Sequence, residues 1–75
     1  MSSHLRQLKA RDVTKALEKI GFYEVRRKGS HRCFKHQDGR FTLVPVHRGE
    51  DISRGLLRQI LREIEMTPKE FSKYV

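Results

Sequence analysis

The sequence predicts an α+β domain in which a three-stranded antiparallel sheet carries helices on one face and leaves the other face open. A central segment alternates apolar and polar residues and is broken by glycine-containing turns, as strands are. Segments with apolar residues at helical spacing flank it on both sides. Because three strands need cover to be stable, we expect the order α-β-β-β-α, with an optional short third helix at the C-terminus.

The chain has the length of one small domain. It has 75 residues, and a domain near this size buries only about 60% of the surface that its unfolded chain exposes. We therefore predict a single domain over residues 1–75 without a deep, enclosed active-site cavity. Residues 1–9 are mostly polar and basic, so we expect them to form a loosely held lead-in.

The first helix is predicted from Ala10 to Ile20. Apolar residues recur there at positions 13, 16, 17 and 20, which is the i, i+3, i+4, i+7 spacing of an amphipathic helix. Gly21 follows, and glycine is the residue at which helices most often end.

Three runs rich in β-branched and aromatic residues are predicted to be strands: FYEVRRK at 22–28, HRCFK at 31–35 and FTLVPV at 41–46. Gly29 and Ser30 suit a tight turn between the first two strands. Asp38 and Gly39 form a strong hairpin signal before the third. Pro45 cannot donate a hydrogen bond within a sheet, so it belongs on an edge strand or at the end of a strand, which suits the last of the three strands.

Two helices are predicted after the strands. The helical stripe returns over Ser53–Glu65, with Ser53 as its N-cap. A shorter helix is expected over Pro68–Lys73, because proline suits the first helical position and Thr67 with Glu70 can form a capping box.

The charge of the chain favours a polyanionic partner. Seventeen Lys and Arg residues against nine Asp and Glu give a formal net charge of +8, which points first to nucleic acid and second to an anionic membrane surface. No apolar run approaches the roughly 20 residues that span a bilayer, and neither end resembles a signal or transit peptide. We therefore expect a cytoplasmic protein with no membrane partner.

The cysteine and histidine content predicts neither a disulfide nor a metal site. Cys33 is the single cysteine, so it has no partner within the chain, and no Cys/His spacing is typical of zinc. We expect no cofactor, and we interpret Cys33 as an exposed or half-buried bystander.

Most of the candidate binding residues lie in one hairpin region. Its basic members are Arg26, Arg27, Lys28, Arg32, Lys35 and Arg40. Their concentration favours an electrostatic footprint for RNA, in which each contact adds salt sensitivity and not sequence specificity. Gly29 either serves the turn alone or lets the backbone approach a phosphate. Ser30 either completes the turn or donates a hydrogen bond to RNA or to His31.

His31 is the candidate catalytic residue. Strand alternation places it on the face opposite Phe34, so it lies on the open face if Phe34 packs under the helices. It could be a solvated or phosphate-contacting histidine, which the residues alone favour. It could also act as general acid/base in RNA cleavage, where the 2′-hydroxyl is the nucleophile and nearby cations stabilise the phosphorane.

Two further histidines lie near the strands. His47 follows the third strand and is interpreted either as a loop histidine that steadies the turn before the second main helix or as an accessory catalytic group, with the first favoured. His36, in the hairpin, is expected to be solvated.

The order of several short motifs resembles the HicA family of small toxins. The matching pieces are Ile20-Gly21-Phe22, Gly29-Ser30-His31 with Phe34, Asp38-Gly39, Val44-Pro45-Val46-His47 with Gly49, and Leu57 with Ile60 and Leu61. Each piece is weak alone, but their order over about Val13 to Phe71 is specific. Ser53-Arg54-Gly55 departs from the Pro-Gly that the family commonly has before its last main helix, and residues 1–9 are not matched.

The resemblance implies a double-stranded-RNA-binding-domain-like fold, metal-independent endoribonuclease activity on mRNA, and a cognate HicB-like antitoxin that forms a heteromeric complex with the toxin. The catalytic histidine of the family corresponds to His31, which reverses the ranking that the residues alone gave. Two other functions remain as alternatives: a non-catalytic RNA-binding module that uses the same basic face, and an anion-binding adaptor for a protein partner.

Overall fold

The computed structural model describes residues 7–46 and 51–75. Its elements are α1 Ala10–Ile20, β1 Tyr23–Lys28, β2 His31–Lys35, β3 Phe41–Pro45, α2 Arg54–Glu63, α3 Pro68–Phe71 and a 3₁₀ turn at Ser72–Tyr74. The strands form one antiparallel sheet in the order β1-β2-β3. This confirms the predicted α+β class, the double-stranded-RNA-binding-domain-like layout and the edge position of β3.

Helix α1 has the bounds that the sequence predicts. The backbone N–H of Lys9 donates to the Asp12 carboxylate at 2.9 Å at its start. At its end, Gly21 adopts a φ of 121° and its N–H donates to the carbonyl oxygens of Leu17 and Glu18. Few side chains adopt this φ, so the helix ends here because the next residue is a glycine.

The two C-terminal helices keep their predicted starts and end earlier than expected. Ser53 caps α2 by accepting a hydrogen bond from the N–H of Leu56 at 3.1 Å. The helix stops at Glu63, two residues before the predicted end, because Glu65 turns the chain with a φ of 59°. The Thr67 and Glu70 capping box of α3 is confirmed, while its last turn tightens into the 3₁₀ turn.

One apolar core lies between the helices and a single face of the sheet. Its fully buried members include Val13 and Leu17 of α1, Phe34 and Val44 of the sheet, Ile60 of α2, and Ile64 and Phe71. Phe34 pairs across the strands with Glu24 and Thr42, and directly opposite residues share a face. We call this side of the sheet the covered face and the other the open face.

The lead-in to α1 is partly anchored. Leu8 is 1% exposed and belongs to the core, and its carbonyl oxygen accepts a hydrogen bond from the N–H of Ile52 at 2.7 Å. The Lys9 ammonium pairs with Asp51 at 3.0 Å. These two residues depart from the expectation of a loose lead-in, because Leu8 fills the core beside the start of α2. Residues 1–6 lie outside the described residues.

No helix in the described part of the chain is long and apolar enough to cross a membrane.

Candidate functional site

His31 lies at one end of the open face. It is the first residue of β2 and is exposed. It pairs with Lys28 on β1 and with Pro45 on β3. Only Gly29 and Ser30 separate it from Lys28, and Gly29 has a φ of 59°, as the first central residue of a type II′ hairpin turn requires. The tight turn therefore fixes the imidazole beside the Lys28 side chain.

The rest of the open face is built from two further rows of side chains that run across the strands. The middle row is Arg26, Cys33 and Leu43, and the last row is Tyr23, Lys35 and Phe41. Arg26, Lys28 and Lys35 are exposed. All the charged residues of this face, which lies wholly within the described range 23–45, are cations.

A β-bulge at Val25 keeps these rows in place. The pairing of β1 with β2 shifts between Glu24 and Arg26, so Val25 is the extra residue opposite β2. With the bulge, Tyr23 lies on the same face as Arg26 and Lys28. Without it, strict alternation would put Tyr23 and Arg26 on opposite faces.

Strand alternation divides the predicted basic set between the two faces, and the bulge puts Glu24 on the same face as Arg27 and Arg32. Arg27 pairs with Arg32 across the strands, on the covered face. Both donate to Glu24: Arg32 from Nε at 3.2 Å and Nη2 at 2.8 Å, Arg27 from Nε at 3.1 Å. The Arg32 guanidinium also lies over the Phe34 ring, 5.2 Å from its centroid. Arg27 and Arg32 are thus ion-pair partners of Glu24 on the covered face, opposite the face that carries His31.

Glu24 is the residue that the sequence analysis missed. The hydrogen bonds from Arg32, followed by those from Arg27, lower the pKa of its carboxyl from 4.5 to about 2. No local pattern marks it, because its two partners are three and eight residues away along the chain. The feature of the sequence that could have indicated Glu24 is that it is the one carboxylate in a strand rich in Lys and Arg.

His36 and Arg40 belong to the framework of the domain. The His36 ring packs edge-on against Phe22, with centroids 5.0 Å apart, and lies against Gly21. The expectation that His36 is solvated is wrong, because the hairpin folds back onto the end of α1. The Arg40 guanidinium also lies over the Phe22 ring, 5.2 Å from its centroid, and it pairs with the Asp38 carboxylate at 2.8 Å.

Two other predicted residues need comment. Cys33 is only 8% exposed, so it is buried among the side chains of the open face and is not the exposed or half-buried residue expected. His47 lies outside the described residues. The residue before it, Val46, donates a backbone hydrogen bond to Ser30, the residue before His31, at 2.6 Å.

A three-stranded sheet backed by helices, with an exposed histidine and exposed cations on its open face, defines a small basic domain of the double-stranded-RNA-binding-domain type. The family model described as the HicA toxin of bacterial toxin-antitoxin systems matches residues 10–66. The chain belongs to the HicA toxin family. It is therefore the toxin of a toxin-antitoxin system, in which an antitoxin is its partner. A search of curated proteins finds no match to the chain.

Proposed function

We propose that this toxin is an endoribonuclease that cleaves mRNA in the cytoplasm, with His31 as general acid/base, and that a HicB-like antitoxin neutralises it. The observation that carries the proposal is the position of His31, an exposed imidazole on a face where all charged side chains are cations. Such a face attracts the RNA backbone by its positive charge, and the histidine supplies the proton transfer.

The reaction needs little beyond these groups. The neutral imidazole accepts the proton of the 2′-hydroxyl while the 2′-oxygen forms a bond to the adjacent phosphorus. The bond from phosphorus to the 5′-oxygen breaks, and that oxygen takes a proton from an acid. The products are a 2′,3′-cyclic phosphate and a 5′-hydroxyl. His47 is the proposed accessory group for the second proton transfer. The support is that Val46, the residue before it, donates a backbone hydrogen bond to Ser30, the residue before His31.

Lys28 is the nearest source of positive charge for the phosphorane. Its side chain is opposite that of His31, and Cβ atoms of directly opposite residues lie about 5 Å apart. The backbone of Gly29 and the hydroxyl of Ser30, in the turn directly before His31, are proposed as further phosphate contacts. Arg26 and Lys35 extend the positive charge along the open face, where they hold the flanking phosphates.

The structure supports RNA contacts less well for Arg27 and Arg32, the remaining members of the predicted RNA-binding set. Their guanidinium groups pair with Glu24, and an RNA phosphate would have to compete with that carboxylate. Their side chains act first on the stability of the sheet edge, and Arg27, the more exposed of the two, reaches only RNA that passes around the edge of β1.

The antitoxin is proposed to cover the open face with an acidic surface. Pairing the cations and enclosing His31 would remove both the affinity for RNA and the base. A structure of the complex with His31 open to solvent would contradict this part of the proposal.

The decisive test is cleavage of single-stranded RNA in the presence of EDTA by the wild type and by His31→Ala. We expect the wild type to yield cyclic-phosphate ends and His31→Ala to yield none. His36→Ala is the matched control, because it removes a histidine that lies off the open face. Equal cleavage by the wild type and His31→Ala would disprove the role of His31. Intact RNA in all samples, together with salt-dependent binding, would instead favour the non-catalytic RNA-binding module.

A further inference from the structure

We infer that Tyr23 and Phe41 form a stacking site for unpaired RNA bases. The toxin therefore requires the nucleotides beside the cleavage site to be single-stranded. The inference rests on the proposed ribonuclease function for its substrate, and it adds a subsite that His31 and the cations do not supply.

The first observation is where the protein exposes large apolar side chains. Tyr23 is 50% exposed and Phe41 is 47% exposed. Among the described residues, the other exposed large apolar side chains are Val25 and Leu43 of the same two strands, and Val75 at the C-terminus. Exposed apolar side chains gathered on one face are typical of a contact surface.

The second observation is the order of side chains across the sheet. Tyr23, Lys35 and Phe41 form one row on the open face, with Lys35 between the rings. Neighbouring strands are about 4.8 Å apart, so the two rings are separated by roughly 10 Å and each offers its own face. Two bases can each stack on one ring while the Lys35 ammonium pairs with a phosphate between them.

The third observation is the distance of this row from the proposed chemistry. Lys35 is four residues after His31 on β2, which places the row roughly 13 Å from the imidazole row. A stacked strand rises about 3.4 Å per nucleotide, so at most about four nucleotides separate a base on the rings from a phosphate at His31. One short RNA segment therefore reaches both.

The alternation of aromatic rings and cations favours RNA as the occupant of the rings. Arg26 lies between the ring row and the His31 row on β1, and all charged side chains of the open face are cations. Aromatic rings that alternate with cations along a groove are the pattern by which proteins bind single strands, because every base has a π-face and every nucleotide a phosphate. A paired base in a duplex has no free face to offer, so the bound nucleotides are unpaired.

The test measures binding of a single-stranded 2′-O-methyl oligouridine, which cannot be cleaved because its 2′-oxygen is blocked. We expect Tyr23→Leu and Phe41→Leu each to weaken binding by about five-fold or more, with the salt dependence of the binding constant unchanged. Leu43→Val on the same face and Tyr23→Phe, which keeps the ring, should both bind like the wild type. Thermal unfolding of each variant verifies that it is folded.

A second measurement does not depend on the loss of a side chain. The chain has no tryptophan, so Phe41→Trp introduces a single indole whose fluorescence is quenched when a base stacks on it. We expect quenching by the single-stranded oligouridine and none by a duplex of equal length. Val75→Trp, at the exposed C-terminus, is the control and should not respond to either.

Three results would overturn the inference: wild-type affinity in both leucine variants, an indole at position 41 that the oligonucleotide does not quench, or equal quenching by the duplex. Leucine variants that bind the oligonucleotide normally but lose affinity for the antitoxin would assign the rings to the protein partner and also overturn it. If the wild type cleaves no RNA but the binding results hold, the proposed function fails and the stacking site remains.

Discussion

Arg40 on the β2–β3 hairpin donates a hydrogen bond from Nη1 to the carbonyl oxygen of Ile64, 2.6 Å away, just after the end of α2. The same guanidinium lies over the ring of Phe22, just after α1. One side chain thus ties the hairpin to the ends of both main helices. The concentration of cations around the hairpin predicts that Arg40 binds RNA, whereas these contacts give it a structural role.

Arg40→Ala should therefore lower the free energy of unfolding by about 2 kcal/mol, the range typical of a hydrogen bond from a charged donor. Urea denaturation checks this value. Arg58→Ala is the control, because Arg58 is exposed on α2 and should change stability by about 0.5 kcal/mol or less. Equal effects of the two substitutions would contradict the structural role of Arg40.

Gly21→Ala should destabilise the protein by about 1–3 kcal/mol, because a φ of 121° is strained for an L side chain. A Cβ at this position would also lie 2.9 Å from Nε2 of His36. Adding His36→Ala to Gly21→Ala should restore the stability lost through the steric contact, while the loss from the strained backbone remains. Gly55→Ala is the matched control, since a Cβ there meets no atom within 4 Å, and it should be neutral or slightly stabilising.

The Glu24 cluster should make stability depend on pH in the acid range. Because hydrogen bonds from Arg32 and Arg27 lower the pKa of Glu24 from 4.5 to about 2, its contribution is complete above about 4.5 and is lost as the pH falls towards 2. Thermal unfolding across this range should show a steeper loss in the wild type than in Glu24→Gln. The remaining dependence includes Asp38, whose pKa is lowered by the hydrogen bond from the N–H of Arg40. Parallel curves for the two proteins would disprove the contribution of Glu24.

Neighbouring arginines on opposite faces give a test of the RNA surface. Arg26 lies on the open face and Arg27 pairs with Glu24 on the covered face. Arg26→Gln should therefore weaken binding of single-stranded RNA and reduce the slope of log affinity against log salt by about 0.7, the value for one phosphate contact. Arg27→Gln should change the slope less. A larger effect of Arg27→Gln would place the RNA at the edge of β1.

The elements that local sequence determines were predicted well. The bounds of α1 and β2 are confirmed, because helical spacing, a terminating glycine and a tight turn all act within a few residues. Strand alternation in HRCFK also predicts that Arg32 shares the face of Phe34, and the strand pairing confirms it. The ion pairs of Arg27 and Arg32 with Glu24 and the burial of Cys33 could not be predicted in this way. They depend on how β1 pairs with β2, and a bulge in one strand leaves no mark in the alternation of the other.

The bulge also determines where β1 tolerates the deletion of a residue. Val25 is the extra residue of β1, and the pairs on either side of it, Glu24 with Phe34 and Arg26 with Cys33, are consecutive on β2. Deleting Val25 would give a regular strand in which all the remaining side chains keep their faces. Deleting Arg27 instead would also remove the bulge, but it would move Val25 to the open face and Arg26 to the covered face. Position 25 is thus where β1 can lose one residue while Tyr23, Lys35 and Phe41 stay on the open face and the Glu24 ion pairs stay on the covered face.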